Sequence, residues 1–371
     1  MRIPLSSPDI NEQDIEAVTA VLRTPQLSLG PKLEEFERLI ARYLGASDAV
    51  AVSSGTSALH LCIRALGISD GDEVIVPSFA FVAVANAVRY ERAIPVFVDV
   101  DSATLNLDPE RVEGAITNRT KAIILVHTFG VPAEMDRLLE VSKRHGLAII
   151  EDACEAIGAE YCGRKVGTFG DVATFAFYPN KQITTGEGGA VVTNNMHIAT
   201  RVRSLRNQGI GAPGAWLAHT EIGYNYRISE INCALGISQL ERIDAILERR
   251  ESVAHHYDLR LSSIPQLRRP ALVLPNRKIS WFVYVVRLGE GFSQTQRDWI
   301  CEEMRGLGIA VGRYFAPIHL QPGYHSSKDM RKLTVTEFEA QRTIALPFFN
   351  QIRAEQVDEV SDSLSKLCKA H

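Results

Sequence analysis

The chain has 371 residues, of which 46% are hydrophobic and 23% are charged, a composition that excludes a chain disordered as a whole. Its formal net charge of −4 provides no overall positive field to attract nucleic acid or an anionic membrane surface. No apolar run approaches the roughly 20 residues that span a bilayer, and Met1 to Asp9 lacks the pattern of a secretory signal, so we expect a cytoplasmic protein.

Two helical patterns open the chain. Apolar residues recur at helical spacing from Asp14 to Leu22 and again from Pro31 to Leu44, where Pro31 suits the first turn of a helix. We predict two helices that lead into the main domain.

Short apolar runs then alternate with helical patterns. The predicted strands are Ala49–Val52, Glu73–Val76, Ile94–Val98, Ala122–Val126, Leu147–Glu151, Ala173–Phe177 and Gly189–Thr193, and the predicted helices between them are Thr56–Leu66, Val82–Arg89 and Met135–His145. Alternation of this kind predicts an α/β fold, with a parallel sheet covered by helices on both faces.

The pattern changes after residue 193. Ser229 to Arg250 is predicted as one long helix, and later come a strand at Phe282–Leu288 and helices at Gln294–Leu307 and Ala354–Cys368. We therefore predict an N-terminal segment and large domain over residues 1–244 and a smaller C-terminal α/β domain over residues 245–371.

Three stretches carry residues suited to chemistry. The first, Ser53 to Ser57, lies between a strand and a helix, so that small residues and free backbone amides at the helix N-terminus can hold a phosphate. The alternative interpretation is a simple Ser or Thr cap of the helix.

The second stretch is Glu151-Asp152-Ala153, which ends a buried strand. Parallel sheets bind their ligands at the carboxyl ends of strands, so one of the two acids is expected to point into a cleft. An acid here is also compatible with a helix cap or a metal ligand.

The third stretch contains Lys181, which follows a strand and precedes the glycine-rich run Thr184 to Gly189. Glycines leave room for a flat ligand beside the lysine. A loop lysine taken alone is more often solvated.

Together the three stretches match the needs of pyridoxal phosphate (PLP). The carboxylate keeps the ring nitrogen protonated, the lysine amine forms an imine and relays a proton, and the small residues hold the phosphate. An aromatic side chain is expected on the ring face, and Phe81 is the first candidate, with Phe79 as the second.

These motifs resemble the DegT/DnrJ/EryC1/StrS family of PLP-dependent aminotransferases, which act on nucleotide-linked keto sugars. The matching stretches cover nearly the whole chain: Ser53 to Leu59, Gly71 to Ser78, Glu151 to Ala153, Lys181 to Gly189, and Gly223 to Arg227. The resemblance implies a fold type I aminotransferase, with a large domain built on a mostly parallel seven-stranded sheet and a smaller C-terminal α/β domain.

The resemblance also implies roles for individual residues. Gly55 and Thr56 would hold the phosphate, Phe81 would stack on the ring, Asp152 would meet the ring nitrogen, and Lys181 would be the Schiff-base lysine. Asn225 would reach the phosphate of the neighbouring subunit's cofactor, which implies a homodimer with shared active sites.

Two positions depart from the commonest family pattern. Ala176 stands where many members have a phosphate-binding serine, and Glu155 stands where many have Gln or His beside the phenolic oxygen of the cofactor. Some relatives have histidine in place of the lysine and dehydrate sugars instead, and Lys181 argues against that reaction.

The resemblance further implies the substrates, L-glutamate and a nucleotide-linked keto sugar, with C4 of a 4-keto-6-deoxyhexose as the expected position. The segment with Tyr314, Pro317 and His319 resembles a family segment near the sugar site, although a loop packed on the small domain explains it equally well. Arg227 and Arg313 are candidates for the diphosphate because they flank matched segments.

Two alternatives stay open at this point. One is transfer to a 3-keto sugar or a cyclitol ketone, and the other is a non-catalytic regulatory protein of the same fold. The histidines, such as His60 and His127, have no metal-like spacing, so no metal site is expected.

Overall fold

The computed structural model describes residues 1–211, 218–324 and 332–370. Its N-terminal segment forms helices α1 (Glu12–Leu22) and α2 (Pro31–Leu44). Asn11 and Asp14 begin α1 with a reciprocal capping box, and Gly45 ends α2 in the left-handed conformation with φ of 75°. Both predicted helices are confirmed.

The large domain is built on a seven-stranded sheet. Its elements in chain order are β1 (Asp48–Val52), α3 (Gly55–Ala65), β2 (Glu73–Pro77), α4 (Ala83–Tyr90), β3 (Ile94–Val98), α5 (Pro109–Glu113), β4 (Thr120–Val126), α6 (Met135–His145), β5 (Ala148–Asp152), the short hairpin β6 (Glu160–Tyr161) and β7 (Arg164–Lys165), β8 (Val172–Ala176) and β9 (Gly189–Thr193). The strand order is β1-β9-β8-β5-β4-β2-β3, and β9 runs antiparallel to both of its neighbours. The predicted mostly parallel sheet is therefore confirmed.

Side chains alternate between the two faces of this sheet, and each face has its own core. In β4, for example, Ile123 and Leu125 pack on the face covered by α2 and α6, whereas Ala122 and Ile124 pack on the face covered by α3 and α4. Burial on both faces explains why the strands are short continuous apolar runs.

The C-terminal part forms a second layered unit with its own core. Before it come α7 (Met196–Arg206) and α8 (Glu230–Glu241), whose apolar side chains belong to the two cores of the large domain. The later elements are α9 (Ile243–Leu261), β10 (Leu267–Arg268), β11 (Arg277–Lys278), β12 (Tyr284–Leu288), α10 (Gln294–Gly306), α11 (Thr334–Ala340), β13 (Thr343–Leu346) and α12 (Ala354–Lys369). Strands β10, β12 and β13 form an antiparallel sheet, while β11 pairs with β6 of the large domain. The predicted boundary between residues 244 and 245 stays a prediction.

The single long helix predicted from Ser229 to Arg250 is wrong. The helix breaks at Arg242, whose φ of −115° and ψ of 19° are not helical. The guanidinium of Arg242 binds Asp14 at 2.7 Å, which holds the break against α1. As a result α8 packs on α1 and α2, whereas α9 packs on α12 in the C-terminal unit.

Among the described residues, no helix is both long and apolar enough to cross a membrane. The cytoplasmic location stays a prediction.

Candidate active site

A cavity of about 420 Å³ opens at the carboxyl ends of the central strands. Asp152 at the end of β5 and Ala176 at the end of β8 line it, together with the first residues of α3. Sheets of this type bind ligands at this edge because the strand ends and helix N-termini converge there.

The amino end of α3 forms one wall of the cavity. The hydroxyl oxygen of Ser54 accepts a hydrogen bond from the Ser57 amide at 3.0 Å. Ser54 is therefore the N-cap of α3, as the alternative to a phosphate site predicts. Gly55 and Thr56 line the cavity, and helix geometry leaves amides of the first turn without intrahelical partners. A Cβ atom at Gly55 would lie 2.7 Å from Cβ of Ala176, so helix and strand meet too closely for any residue but glycine.

The two acids at the end of β5 point to opposite faces of the sheet. Asp152 lines the cavity, and its Oδ1 accepts a hydrogen bond from the Cys154 amide at 3.0 Å. Glu151 is fully buried behind it and accepts hydrogen bonds from the amides of Gly167, Phe169 and Gly170, each at 2.7 Å. Only Asp152 is therefore available to a ligand.

Glu151 also pairs with a buried histidine. Nε2 of His127 lies 3.1 Å from Oε2 of Glu151, and Nδ1 of His127 accepts a hydrogen bond from the Ala133 amide. Because Nδ1 is an acceptor, Nε2 carries the hydrogen and donates it to Glu151. Burial alone would raise the pKa of the Glu151 carboxyl, but the hydrogen bonds from His127 and the backbone lower it below its ordinary 4.5.

We expect this arrangement to make folding stability depend on pH. A carboxyl with a lowered pKa in the folded state contributes stability that is fully present above its unfolded pKa and is lost as the pH falls through the folded value. Glu151→Gln should reduce the free energy of unfolding at pH 7 by about 2 kcal/mol, because the neutral amide satisfies the surrounding donors poorly.

The same substitution should also weaken the loss of stability below pH 4.5. Urea denaturation between pH 3 and pH 7 measures both effects, with exposed Glu140→Gln as the control. Equal free energies for wild type and Glu151→Gln at pH 7 would contradict the assignment of Glu151 as a charged structural residue.

Lys181 enters the cavity from a turn after β8, where its amide donates to the carbonyl of Tyr178 at 2.9 Å. Its side chain is only 13% exposed. Nζ lies 3.6 Å from Oε1 of Glu155 and 4.0 Å from the ring centroid of Phe282, a cation–π distance. The amine is thus held at the cavity wall by one carboxylate and one aromatic face.

Glu155 lies beside Lys181 in the cavity wall. Its second oxygen accepts a hydrogen bond from the Phe129 amide at 2.9 Å. Burial raises the pKa of the Glu155 carboxyl, although the charge of Lys181 opposes that effect. The departure from Gln or His therefore places an acidic group beside the lysine.

The two aromatic candidates lie in different environments. Phe79 is fully buried and packs edge-on against Phe129 and Phe315. It is a core residue, so the prediction that it covers the cofactor ring is wrong. Phe81 is 63% exposed and lines the cavity. It remains the aromatic residue proposed to cover a bound ring.

Four residues predicted for the site, Asn225, Arg227, Arg313 and His319, do not line the cavity of their own chain. Asn225 is exposed, Arg227 donates to the side chain of Asn207 at 3.0 Å, and His319 lies 2.7 Å from the Ser78 hydroxyl and 3.4 Å from Glu337. Tyr314 does line the cavity, whereas Arg313 pairs with Asp298 at 3.2 Å. Their binding roles stay predictions.

The cavity also contains residues that sequence reasoning missed. Tyr178 and Asn180 flank Lys181 in the chain, so proximity to the lysine was a signal for them. Phe282 and Phe315 arrive from the C-terminal unit, and nothing in their local sequence marks them.

The lining residues fit PLP. An amine and a carboxylate face one cavity, as its aldehyde carbon and ring nitrogen require, and the start of α3 offers amides to a phosphate. Oδ1 of Asn180 is buried and accepts no hydrogen bond from the described residues, so it is free for a ligand donor. Ala176 contributes only a methyl group, as the sequence predicts.

Residues 8–365 match the model of the DegT/DnrJ/EryC1/StrS aminotransferase family. The chain is 44% identical to GDP-perosamine synthase from Caulobacter vibrioides over 335 residues, which covers 90% of each protein.

Solved structures agree with this match. Helicobacter pylori PseC, an aminotransferase involved in the biosynthesis of pseudoaminic acid, is 30% identical with a TM-score of 0.96 and full coverage of both chains. The putative sugar aminotransferase Spr1654 from Streptococcus pneumoniae, solved in a PLP-form and a PMP-form, is 28% identical with a TM-score of 0.95, covering 100% of this chain and 98–99% of its own.

Proposed function

The chain belongs to the DegT/DnrJ/EryC1/StrS aminotransferase family, and from this premise we propose that it is a PLP-dependent aminotransferase that moves an amino group from glutamate to a nucleotide-linked keto sugar. The family predicted from the sequence motifs is confirmed. The cofactor, the donor and the position of amination are the parts that we propose.

The observation that supports the catalytic assignment is the convergence of Lys181 and Asp152 on one cavity beside the start of α3. Bound PLP supplies an electron-withdrawing ring that stabilises negative charge on the carbon next to the amine. In our proposal Asp152 keeps the ring nitrogen protonated, Lys181 holds the cofactor and moves the proton, and Gly55 and Thr56 hold the phosphate. Glu155 lies beside Lys181 and orients its amine.

An absorbance spectrum tests this proposal. Protein purified with PLP should be yellow and should lose its long-wavelength band when glutamate is added. Protein that stays colourless after incubation with PLP would contradict the proposal and favour the regulatory alternative.

The proposed acceptor is a nucleotide-linked 4-keto-6-deoxyhexose, aminated at C4. Support comes from the 44% identity to GDP-perosamine synthase. Glutamate and the nucleotide sugar use the same lysine and therefore bind in turn. Arg227, Tyr314 and His319 remain the candidates for contacts with the nucleotide sugar.

This proposal predicts the product and the kinetic pattern. A panel of nucleotide-linked 4-keto sugars, nucleotide-linked 3-keto sugars and cyclitol ketones, each with glutamate and read by mass spectrometry, should give amination only of the 4-keto substrates. Double-reciprocal plots should show parallel lines, because one substrate leaves before the other binds. Intersecting lines, or amination of 3-keto sugars or cyclitol ketones alone, would overturn it.

We also propose a homodimer whose active sites are completed across the subunit boundary. Asn225 is exposed and lies outside the cavity of its own chain, as a residue serving the partner would. In the dimer its amide would donate to the phosphate of the partner's cofactor.

Mixing two impaired variants tests this shared site. Lys181→Ala subunits combined with Asn225→Ala subunits should regain about a quarter of wild-type turnover, because half of the dimers are mixed and one of their two sites is intact. Lys181→Ala mixed with Asp152→Asn is the control and should regain nothing, because those residues line the same cavity of one chain. Equal behaviour of the two mixtures after verified subunit exchange would count against a shared site.

A further inference from the structure

Asn225 lies between two tyrosines whose phenols are bound by side chains on α3 and at the end of α4 of the same subunit. The Tyr224 hydroxyl donates to Oε1 of Glu91 at 2.8 Å, and the Tyr226 hydroxyl lies 3.1 Å from Nδ1 of His60. Their rings stack with centroids 5.0 Å apart and planes 10° apart. Because neighbouring side chains in an extended segment point to opposite sides, Asn225 faces away from the tyrosines and into solvent.

We call the group of His60, Glu91, Tyr224 and Tyr226 the tyrosine clamp. Glu91 lies at its centre and also accepts hydrogen bonds from Nε2 of His60 at 2.8 Å and from Arg64 at 3.0 Å. Burial opposes ionisation of Glu91, but His60, Tyr224 and Arg64 together lower the pKa of its carboxyl. Glu91 is therefore a charged acceptor at neutral pH, and the hydrogen bonds to it are of the stronger kind.

His60 connects the two sides of the clamp. A carboxylate only accepts, so Nε2 of His60 carries a hydrogen, and Nδ1 of the neutral ring then accepts from Tyr226. Burial lowers the pKa of His60, which favours this neutral form. Tyr226 is thus bound to an imidazole on α3, and Tyr224 is bound to a carboxylate at the end of α4.

The backbone of the same segment is tied to the large domain. The Tyr224 and Tyr226 amides donate to the carbonyls of Leu205 and Arg206, and the Tyr226 carbonyl accepts from the Ser53 amide. These bonds set the place of the segment, and the two phenols add side-chain bonds on the face opposite to Asn225. A fully bonded polar network specifies one orientation more strictly than apolar packing does.

We propose that the tyrosine clamp holds Asn225 in the orientation that completes the cofactor site of the partner subunit. This inference rests on the proposed function, because it needs a bound cofactor and a dimer. Tyr224 and Tyr226 are positioning residues: they act on the cofactor only through Asn225. A defect in the clamp should therefore appear in the partner's active site and not in the site of the same chain.

Heterodimers of defined composition distinguish a defect in the partner's active site from a defect in the active site of the same chain. Each heterodimer contains one Lys181→Ala subunit and one subunit with Lys181, purified with two different affinity tags. Tyr224→Phe and Tyr226→Phe are introduced together into one subunit or the other. The two changes remove both phenolic hydrogen bonds but leave the rings, and the contacts of Glu91 with His60 and Arg64 remain. PLP is titrated, trapped on Lys181 by borohydride reduction and quantified by mass spectrometry.

The expected result depends on which subunit carries the Phe changes. On the Lys181→Ala subunit they should raise the half-saturating PLP concentration at the intact lysine about fivefold, the scale of one weakened hydrogen bond. On the Lys181-bearing subunit they should leave that concentration unchanged. Asn225→Ala placed in the same two ways is the reference, and single Tyr224→Phe provides a milder variant if the double variant melts at a lower temperature.

Equal weakening in both arrangements would overturn the inference, because it would indicate a structural effect within one chain. Loss of affinity with Asn225→Ala in the partner but none with the Phe changes would overturn it as well and leave the proposed function standing. If wild-type protein traps no PLP on Lys181, the proposed function itself fails and this inference fails with it.

Discussion

Lys181→Ala should reduce turnover at least about 100-fold, the usual contribution of a general acid–base group. The substitution removes the only lysine amine that lines the cavity within the described residues. Alanine offers neither an amine to hold PLP nor a base to move the proton. The measurement is amination of the keto sugar at saturating glutamate.

The fold should tolerate this change. Nζ of Lys181 contacts Glu155 and the face of Phe282 at the cavity wall, so the loss of stability should stay within about 1 kcal/mol. Exposed Lys121→Ala is the matched control and should keep full activity. Turnover above a hundredth of wild type in Lys181→Ala would refute the assignment of the Schiff-base lysine.

Asp152→Asn should lower turnover more than about tenfold, which corresponds to roughly 1.4 kcal/mol of transition-state stabilisation. Asparagine keeps an oxygen that can accept the hydrogen bond of the Cys154 amide, so the local structure should persist. The neutral amide lacks the negative charge that would keep the ring nitrogen protonated. PLP should therefore still bind while the rate falls.

Its neighbour Glu151 provides the control on the same strand. Glu151→Gln alters the buried face and should lower stability, whereas Asp152→Asn alters the cavity and should lower turnover. Activity and urea denaturation measured on both variants separate the two roles. A loss below tenfold in Asp152→Asn would remove Asp152 from the ring-nitrogen position.

The proposed shared site and tyrosine clamp also predict that PLP binding requires the dimer. If Asn225 acts on the partner, a variant that weakens subunit association should lose PLP affinity together with the dimer. Gel filtration at falling protein concentration, with PLP retention measured on each fraction, would reveal this coupling.

The sequence by itself determined the α/β class and the family, and it marked Lys181 as a candidate site residue. The strand Gly189–Thr193 was predicted with its observed bounds, because burial on both faces leaves a local signature of continuous apolar residues. The edge strand Ile94–Val98, which is only partly buried, was also predicted with its observed bounds. The motif around Lys181 is likewise local, since the lysine, the preceding strand and the glycines are consecutive.

Only the tertiary structure decided which side chains meet. Alternation along β5 required that Glu151 and Asp152 face opposite ways, but the placement of the cavity on the Asp152 side depends on packing against distant elements. The burial of Phe79, the break at Arg242 and the arrival of Phe282 beside Lys181 depend in the same way on residues far along the chain. Periodicity reports the environment of one segment, whereas contacts between segments are selected by the free energy of the whole packed core.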